Sequence, residues 1–377
     1  MSECITKVEK IKTIEPHPNA DRLELAKVRG WHCVVPKGYY KPGDLCVYIP
    51  IDSVLPQALE EELFSNAKVK LHKGRIKTIK LRGAISQGLV ANLDTIHMYL
   101  GNRAKHMKLE EGLDITEALG IKKYEPPAPK FQQFKGMKVG KKQVNPHFGK
   151  YTDLQNIKNY DELFKPDDEV VVTEKIHGTN FRAGWVPYYA DTFFKRVLKF
   201  LRLAPKYEFV YGSHNVQLQG SHQKIYYDTN VYYKTVKQYD LKNKIPKGHV
   251  IYGEIYGDGI QKGYNYGLRQ ETRLVVFDAK TFNGFDSGNG EYISYIDLKY
   301  QCYQMKLPMA PLIFEGQFKD VDLDAFYKGP SLLCSLQKVK EGVVICSKTE
   351  TPTYMGRKKL KCINPEYLLG KNNTDFH

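Results

Sequence analysis

The sequence predicts two domains of different class: a small all-β barrel over residues 1–120 and, beyond a linker at 121–145, an α+β domain with antiparallel sheets over residues 146–377. Three observations carry this. First, short apolar runs bounded by turn residues crowd the N-terminal part: LELAKV, GWHCVVPKG, GDLCVYIPI, GRIKTIKLRG and SQGLVANL. Strands this short and closely spaced make a small barrel. Second, KKYEPPAPKFQQFKGMKVGKKQVNPHFGK mixes prolines, glycines and lysines without a sustained apolar period, which marks a linker. Third, the remainder has longer β-like runs (EVVVTEK, YEFVYGS, HVIYGEIYG, TRLVVFDAK, EGVVICSK, RKKLKCIN) mixed with helix-like stretches such as TDLQNIKNYDELF.

Composition agrees. A chain of 377 residues exceeds a single small core, and 42% hydrophobic content is enough to build two. No stretch approaches the roughly 18 apolar residues of a membrane helix, and MSECITKVEKIKTIEP lacks a signal peptide's apolar centre. The expectation is a soluble intracellular protein, cytoplasmic or nuclear rather than secreted, monomeric and without a membrane partner. The seven cysteines (Cys4, Cys33, Cys46, Cys302, Cys334, Cys346 and Cys362) are odd in number and scattered, with no C-x-x-C pair. They read as reduced packing residues. A formal charge of +15 points to a polyanionic partner, because cations that displace phosphate counterions drive nucleic-acid binding. Charge alone does not separate RNA from DNA, a membrane or a merely solvated basic surface.

The stretch VVTEKIHGTNFRAG places Lys175 between an apolar strand and a glycine turn. K-x-x-G by itself says little, since Lys27 and Lys80 fit it too. Lys175 is set apart by the residues downstream of it: Glu254 in YGEIYG, Phe277 and Asp278 in VVFDA, Glu341 in EGVVI, then Lys359 and Lys361 in KKLKCIN. The series suits attack of a lysine amine on the α-phosphate of a nucleotide. The amine must be neutral to attack, which desolvation or neighbouring cations favour. Gly178 lets the backbone approach phosphates. Lys359 and Lys361, two apart on a strand, share a face and can neutralise the phosphate and the leaving pyrophosphate. Glu341 and Glu254 offer hard oxygen ligands, to a divalent metal and to ribose hydroxyls, and Phe277 offers a flat face to a base. Glu315 in IFEGQFK is a rival to Glu341, but Gln317 interrupts its apolar run and no paired lysines lie shortly downstream.

These segments resemble the ordered motifs of the covalent nucleotidyltransferases, the superfamily of DNA ligases, RNA ligases and mRNA capping enzymes, and EKIHGTN is particularly similar to ATP-dependent RNA ligases. The resemblance covers roughly residues 146 to 365. It implies that Lys175 is the nucleophile that carries AMP, with Mg²⁺ or Mn²⁺ as the metal and Glu341 as its ligand. Glu174, His177, Gly178, Asn180, Glu254, Phe277, Lys359 and Lys361 would bind the nucleotide. One segment departs from the pattern: where the family carries an arginine in a Ser-Arg-Asn-like strand end, YGSHNVQ has His214, leaving that contact to His214 or to Arg182 in NFRAG.

HPNADRLELAKVRG resembles the opening of OB-fold tRNA-binding modules, so the N-terminal barrel is expected to be an OB fold. OB folds grip single strands with basic grooves and stacking aromatics. Lys73, Arg75, Lys77, Lys80 and Arg82, with Lys68 and Lys70, are dense enough for such a groove, and Trp31, Tyr39 and Tyr40 are candidate platforms that could equally be core. DNA ligases and capping enzymes carry their OB barrel after the last lysine motif, and none is expected here. The stretch ADTFFKRVLKFLRLAPK reads as an amphipathic basic helix, its apolar face expected on the core and its basic face towards RNA rather than a membrane surface. The resemblance thus implies an RNA ligase that joins 3′-OH and 5′-phosphate ends through lysyl-AMP and RNA-adenylate. The alternatives are a capping-type guanylyltransferase, a DNA ligase or a non-catalytic RNA-binding protein. Nicked duplex RNA, broken RNA ends and an RNA–DNA hybrid all remain open as substrates.

Overall fold

The computed structural model describes residues 4–65, 71–125, 145–218, 231–282, 288, 290–370 and 373. The expected linker lies mostly outside the described residues, as do Lys68 and Lys70. Two compact units result, and they do not follow chain order. The first comprises Met1–Ala128, Asp153–Phe164 and Leu360–His377, and the second Pro129–Thr152 and Lys165–Lys359.

In the first unit β1 (Lys7–Pro16), β2 (Leu23–Val28), β3 (Trp31–Pro36) and β4 (Leu45–Ile49) form antiparallel ladders. A register shift between Ile11 and Thr13 bends β1, so its first half pairs with β4 and its second half with β2. The short β5 (Ser53–Val54) precedes α1 (Gln57–Leu63); β6 (Thr78–Leu81) and β7 (Ala84–Gln87) form a hairpin, and β8 (Leu89–Ala91) returns to β4. The sheet order is β3-β2-β1-β4-β8. The β6–β7 hairpin, which leads into β8, meets β3 where the Val34 N–H donates to Ser86 Oγ at 3.0 Å, and this nearly closes the barrel. Val8, Val47 and Ile49 of the strands form a buried cluster with Leu59, Leu119 and Ile96 of α2 (Leu93–Leu100). The minor strand β9 (Lys122–Lys123) pairs with β5. Trp31 is a core residue, not a platform: it is buried, and its Nε1–H donates to Asn159 Oδ1 at 2.7 Å.

The second unit holds a six-stranded antiparallel sheet and a smaller one. The smaller contains β10 (Glu169–Lys175) and the larger starts with β11 (Thr179–Pro187). Helix α3 (Phe193–Phe200) lies in the connection to β12 (Tyr207–Gly212), and β13 (Gln217–Leu218) comes next. After α4 (Val231–Gln238) and α5 (Leu241–Lys244) come β14 (His249–Gly257), β15 (Thr272–Thr281) and β16 (Glu291–Tyr292), giving the order β13-β12-β11-β14-β15-β16. Helix α6 (Tyr295–Met305) leads to β17 (Leu312–Gln317) and, past α7 (Leu323–Tyr327), to β18 (Gly342–Ser347); β10 lies between β17 and β18. A β19–β20 hairpin (Pro352–Thr353 and Gly356–Arg357) precedes β21 (Lys359–Ile363), which from Leu360 onward belongs to the first unit. One face of the large sheet buries Phe181, Ala183, Ile251, Ile255, Leu274 and Val276 against Val231, Val236, Leu298 and Met305 of the helices. Each of these side chains larger than alanine contributes about 1.5–3 kcal/mol, so the strands that carry the site rest on a rigid layer. All seven cysteines are free, as expected.

Candidate active site

The chain passes from the small sheet to the large one through residues 176–178, and the lysine stands at that crossing. The buried Ile176 packs among Tyr256, Tyr266 and Val275, which pins the turn. Gly178 is required for a reason other than the one expected: a Cβ there would lie 2.2 Å from the Ile255 carbonyl oxygen, so the close neighbour is the backbone of β14. Two further hydrogen bonds fix the peptide: the His177 N–H donates to Tyr266 Oη at 2.8 Å, and Gln261 Nε2 donates to the Gly178 carbonyl at 2.7 Å.

Register then brings the acids in. Lys175 pairs with Gly342, which sets the preceding Glu341 beside it, and Asn180 pairs with Glu254 across β11 and β14. Lys175 Nζ donates to Glu341 Oε1 at 2.7 Å, and His177 Nδ1 lies 3.7 Å from Glu341 Oε2 while its ring meets Tyr264 edge-on. Glu254 Oε1 accepts from the Gly178 N–H at 3.1 Å. Burial pushes the Glu254 carboxyl up to about 8; Lys175 and the Gly178 N–H pull against the rise, and Glu341 adds to it.

A second cluster surrounds the expected base platform. Phe277 sits at a register shift where Tyr252 pairs with Asp278 and Gly253 with Val276, so it has no partner across the ladder. Such a bulge re-aims a side chain, and Phe277 is half-exposed with Tyr151 against its edge at 4.9 Å. The neighbouring Asp278 is buried, and its Oδ2 receives Tyr151 Oη at 2.7 Å, Arg357 Nη1 at 2.6 Å and Lys359 Nζ at 2.7 Å. Lys359 also donates to the Phe277 carbonyl at 3.3 Å. Asp278, Arg357, Tyr151, Tyr266 and Gln261 carry no role in the sequence reading. Asp278, beside Phe277, and Arg357, which opens the run that holds Lys359, had a signal; the others come from segments without periodicity.

Other candidates have different partners. Glu174 alternates with Lys175 along β10 and is held on a loop, accepting the Leu332 N–H at 2.7 Å; burial raises its pKa against Ser331 and that N–H. Its side chain is therefore not among the groups that converge on Lys175. His214 lies half-exposed between β12 and β13. Arg182 does not replace the absent arginine: it is buried over the Phe148 ring at 4.1 Å and donates to the Ser213 and Phe148 carbonyls. Lys361 is buried and belongs to the first unit, where its N–H donates to the Gln155 carbonyl at 2.9 Å.

Of the expected basic groove, Lys73, Lys80 and Arg82 are exposed and Lys77 half-buried. Arg82 and Gly83 form the positive-φ tip of the β6–β7 hairpin. Arg75 is not on that surface: it is buried, paired with Asp52 and stacked on Tyr124 at 3.7 Å.

Among the described residues no three His, Cys, Asp or Glu side chains gather as a metal site. Glu341 Oε2, however, is buried without a hydrogen-bond partner. One such carboxylate fits a hard cation that keeps its waters and shares substrate phosphates.

The RNA ligase family model matches residues 168–363, a span that contains Lys175, Glu254, Phe277, Glu341, Lys359 and Lys361. The chain belongs to the RNA ligase family. An OB-fold domain model matches residues 5–93 of the ligase, which agrees with the barrel expected there. Among solved structures, the ligase is similar to a variant of the Naegleria gruberi RNA ligase with ATP and Mn, at 21% identity and a TM-score of 0.70 over 98% of this chain and 100% of that one. The same organism's RNA ligase with PPi is 22% identical, with a TM-score of 0.68 over 97% and 98% of the two chains. A variant with AMP and Mn gives 21% and 0.69 over 98% and 100%. No curated protein sequence matches the chain.

Proposed function

We propose that the ligase is ATP-dependent and joins RNA 3′-OH and 5′-phosphate ends through lysyl-AMP and RNA-adenylate intermediates. The observation that carries this reading is the Lys175–Glu341 contact of 2.7 Å at a pinned turn, with Glu254 bonded to that same turn. The Lys175 amine attacks the α-phosphorus of ATP, a P–N bond forms and pyrophosphate leaves. Glu341 Oε1, at hydrogen-bond distance, is the positioned acceptor for the ammonium proton that must leave before attack. An RNA 5′-phosphate oxygen then displaces Lys175 from AMP, and a 3′-hydroxyl finally displaces AMP.

In this reading Glu254, with its carboxyl pushed up to about 8, is mostly protonated at neutral pH and meets a ribose hydroxyl as donor or acceptor. Phe277 stacks on adenine, His177, Asn180 and His214 border the nucleotide, and Lys359 neutralises phosphate. Mg²⁺ or Mn²⁺ held at Glu341 would supply further charge neutralisation. The Naegleria gruberi complexes with ATP, AMP and Mn support these assignments by analogy of fold. The barrel, through Lys73, Lys77, Lys80 and Arg82, grips the RNA, a nicked duplex or broken ends, with RNA–DNA hybrids among the substrates to compare.

Incubation with α-labelled ATP tests the first step. Covalent label that survives denaturation is expected, lost in Lys175→Ala; label retained by that variant, or transferred from GTP in preference to ATP, overturns the reading.

A further inference from the structure

The connection between β11 and β12 carries a feature that ligation does not use. At 3.6 residues per turn, Phe193, Phe194, Val197, Leu198 and Phe200 occupy one side of α3, and Lys195, Arg196 and Lys199 the other. The expectation that the apolar side packs on the core fails. Val197 and Leu198 are half-buried, but Phe193, Phe194 and Phe200 are 84%, 69% and 86% exposed, and Leu201 and Leu203 beyond them are exposed too. The segment is nonetheless well held. Thr192 Oγ1 caps the helix by accepting the Lys195 N–H at 3.3 Å, Lys195 pairs with Asp191 at 2.7 Å, and the Tyr188 N–H donates to the Lys206 carbonyl at 3.1 Å where the connection closes. An exposed, contiguous cluster of large apolar side chains on a fixed element marks an interaction surface.

We propose that α3 and the turn after it dock the ligase peripherally on an anionic phospholipid surface. Two features select this occupant. The first is charge: residues 191–206 hold the cations Lys195, Arg196, Lys199, Arg202 and Lys206 against the single acid Asp191, which complements phosphate headgroups. The second is segregation. A groove for single-stranded RNA needs aromatics and cations converging on one strand. Here they occupy opposite sides of one helix, as in helices that lie in a bilayer interface with phenylalanines below and lysines and arginines above. The surface binds without spanning: among the described residues no helix is long and apolar enough to cross a membrane. It also leaves the chemistry alone. β11 begins at Thr179 beside the lysine turn and ends at Pro187, so along the strand the docking segment starts roughly 27 Å from the nucleophile turn.

The experiment is flotation of the full chain with vesicles of phosphatidylcholine alone or mixed with phosphatidylserine. Binding to the mixed vesicles, weakened by salt, and little to phosphatidylcholine alone are expected. The double variant Phe193→Ser/Phe200→Ser should lose about tenfold or more in partitioning, as should Lys199→Glu/Arg202→Glu. Both should keep the parent's thermal midpoint, because the altered side chains are exposed. No flotation of the parent chain, or equal flotation of the Phe variant, overturns the proposal. So does either alternative occupant: single-stranded RNA affinity that falls in the Phe variant without vesicle binding, or a dimer in light scattering that this variant dissociates.

Discussion

Asp278→Asn removes one charge from a buried cluster, and its cost can be worked from the contacts. The carboxylate receives Lys359 Nζ at 2.7 Å, Arg357 Nη1 at 2.6 Å and Tyr151 Oη at 2.7 Å, all on Oδ2. Burial raises its pKa, yet the Lys359 and Arg357 charges and their hydrogen bonds outweigh this and hold the carboxyl below its ordinary value. An amide keeps the shape and one acceptor but leaves Lys359 without its counter-charge, while Arg357 keeps its ion pair with Glu350. Removing one partner of a buried pair costs about 3–5 kcal/mol. At about 2–4 °C per kcal/mol for a unit of this size, the thermal midpoint should fall by between about 6 and 20 °C. Calorimetry at neutral pH measures it, and a fall below about 3 °C would show that water already screens the cluster. Two controls sharpen the reasoning. Adding Lys359→Met to the variant should recover part of the loss, because the unpaired cation is gone. Since the folded carboxyl titrates below its unfolded value, its stabilisation is present above the unfolded pKa and lost as pH falls through the folded one. The gap between parent and variant should therefore narrow in acid; a gap that widens there refutes the ion-pair account.

Glu254→Gln should act in the opposite sense. With the folded carboxyl raised to about 8, an ionisation penalty absent in acid builds as pH rises to that value, so the variant should melt higher than the parent at about pH 9 and equally at about pH 4; scans across pH that show a constant offset would contradict it. Tyr266→Phe strips the His177 N–H of its acceptor, a loss of about 1–3 kcal/mol at the turn, and should slow lysyl-AMP formation by about tenfold in single-turnover labelling while a Tyr264→Phe control changes it little. A fragment of residues 145–377 leaves 153–164 and 360–377 without the rest of the first unit, exposing Ile157, Phe164, Tyr367 and Leu368, which are buried in the full chain. Binding of a hydrophobic dye and aggregation are expected, and a monomeric fragment with native near-ultraviolet circular dichroism would speak against this division of the chain.

Much of the site could be read along the chain because its chemistry rests on strands. A strand fixes the direction of each side chain by period two, so EVVVTEK before a turn, YGEIYG and EGVVI after it already place Lys175 at a strand end, Glu254 within a strand and Glu341 beside one. The family relation and the N-terminal barrel were legible for the same reason: both are ordered series of short strand motifs. What pattern could not reach were groups that matter through partners far away in sequence. Arg75 reads as one of a basic run, yet it is buried against Asp52; Arg182 reads as an alternative to His214 for the missing arginine, yet it serves two backbone carbonyls.

Residue order alone points to the RNA ligase family, because the motifs that mark it are residue types in a given succession, and no folding is needed to see them. It also settles the two classes of domain, since local hydrophobic period and turn residues are one-dimensional quantities. Packing in three dimensions selects which of the look-alikes act together. Antiparallel register brings Glu341 to 2.7 Å from Lys175, 166 residues away, and a bulge at Phe277 turns that ring aside from the ladder while Asp278 gathers Lys359 and Arg357. It also left the apolar side of α3 in solvent, where amphipathic pattern alone had placed it on the core. Periodicity states that a face is apolar; only the packing of other elements determines whether anything within the chain covers it.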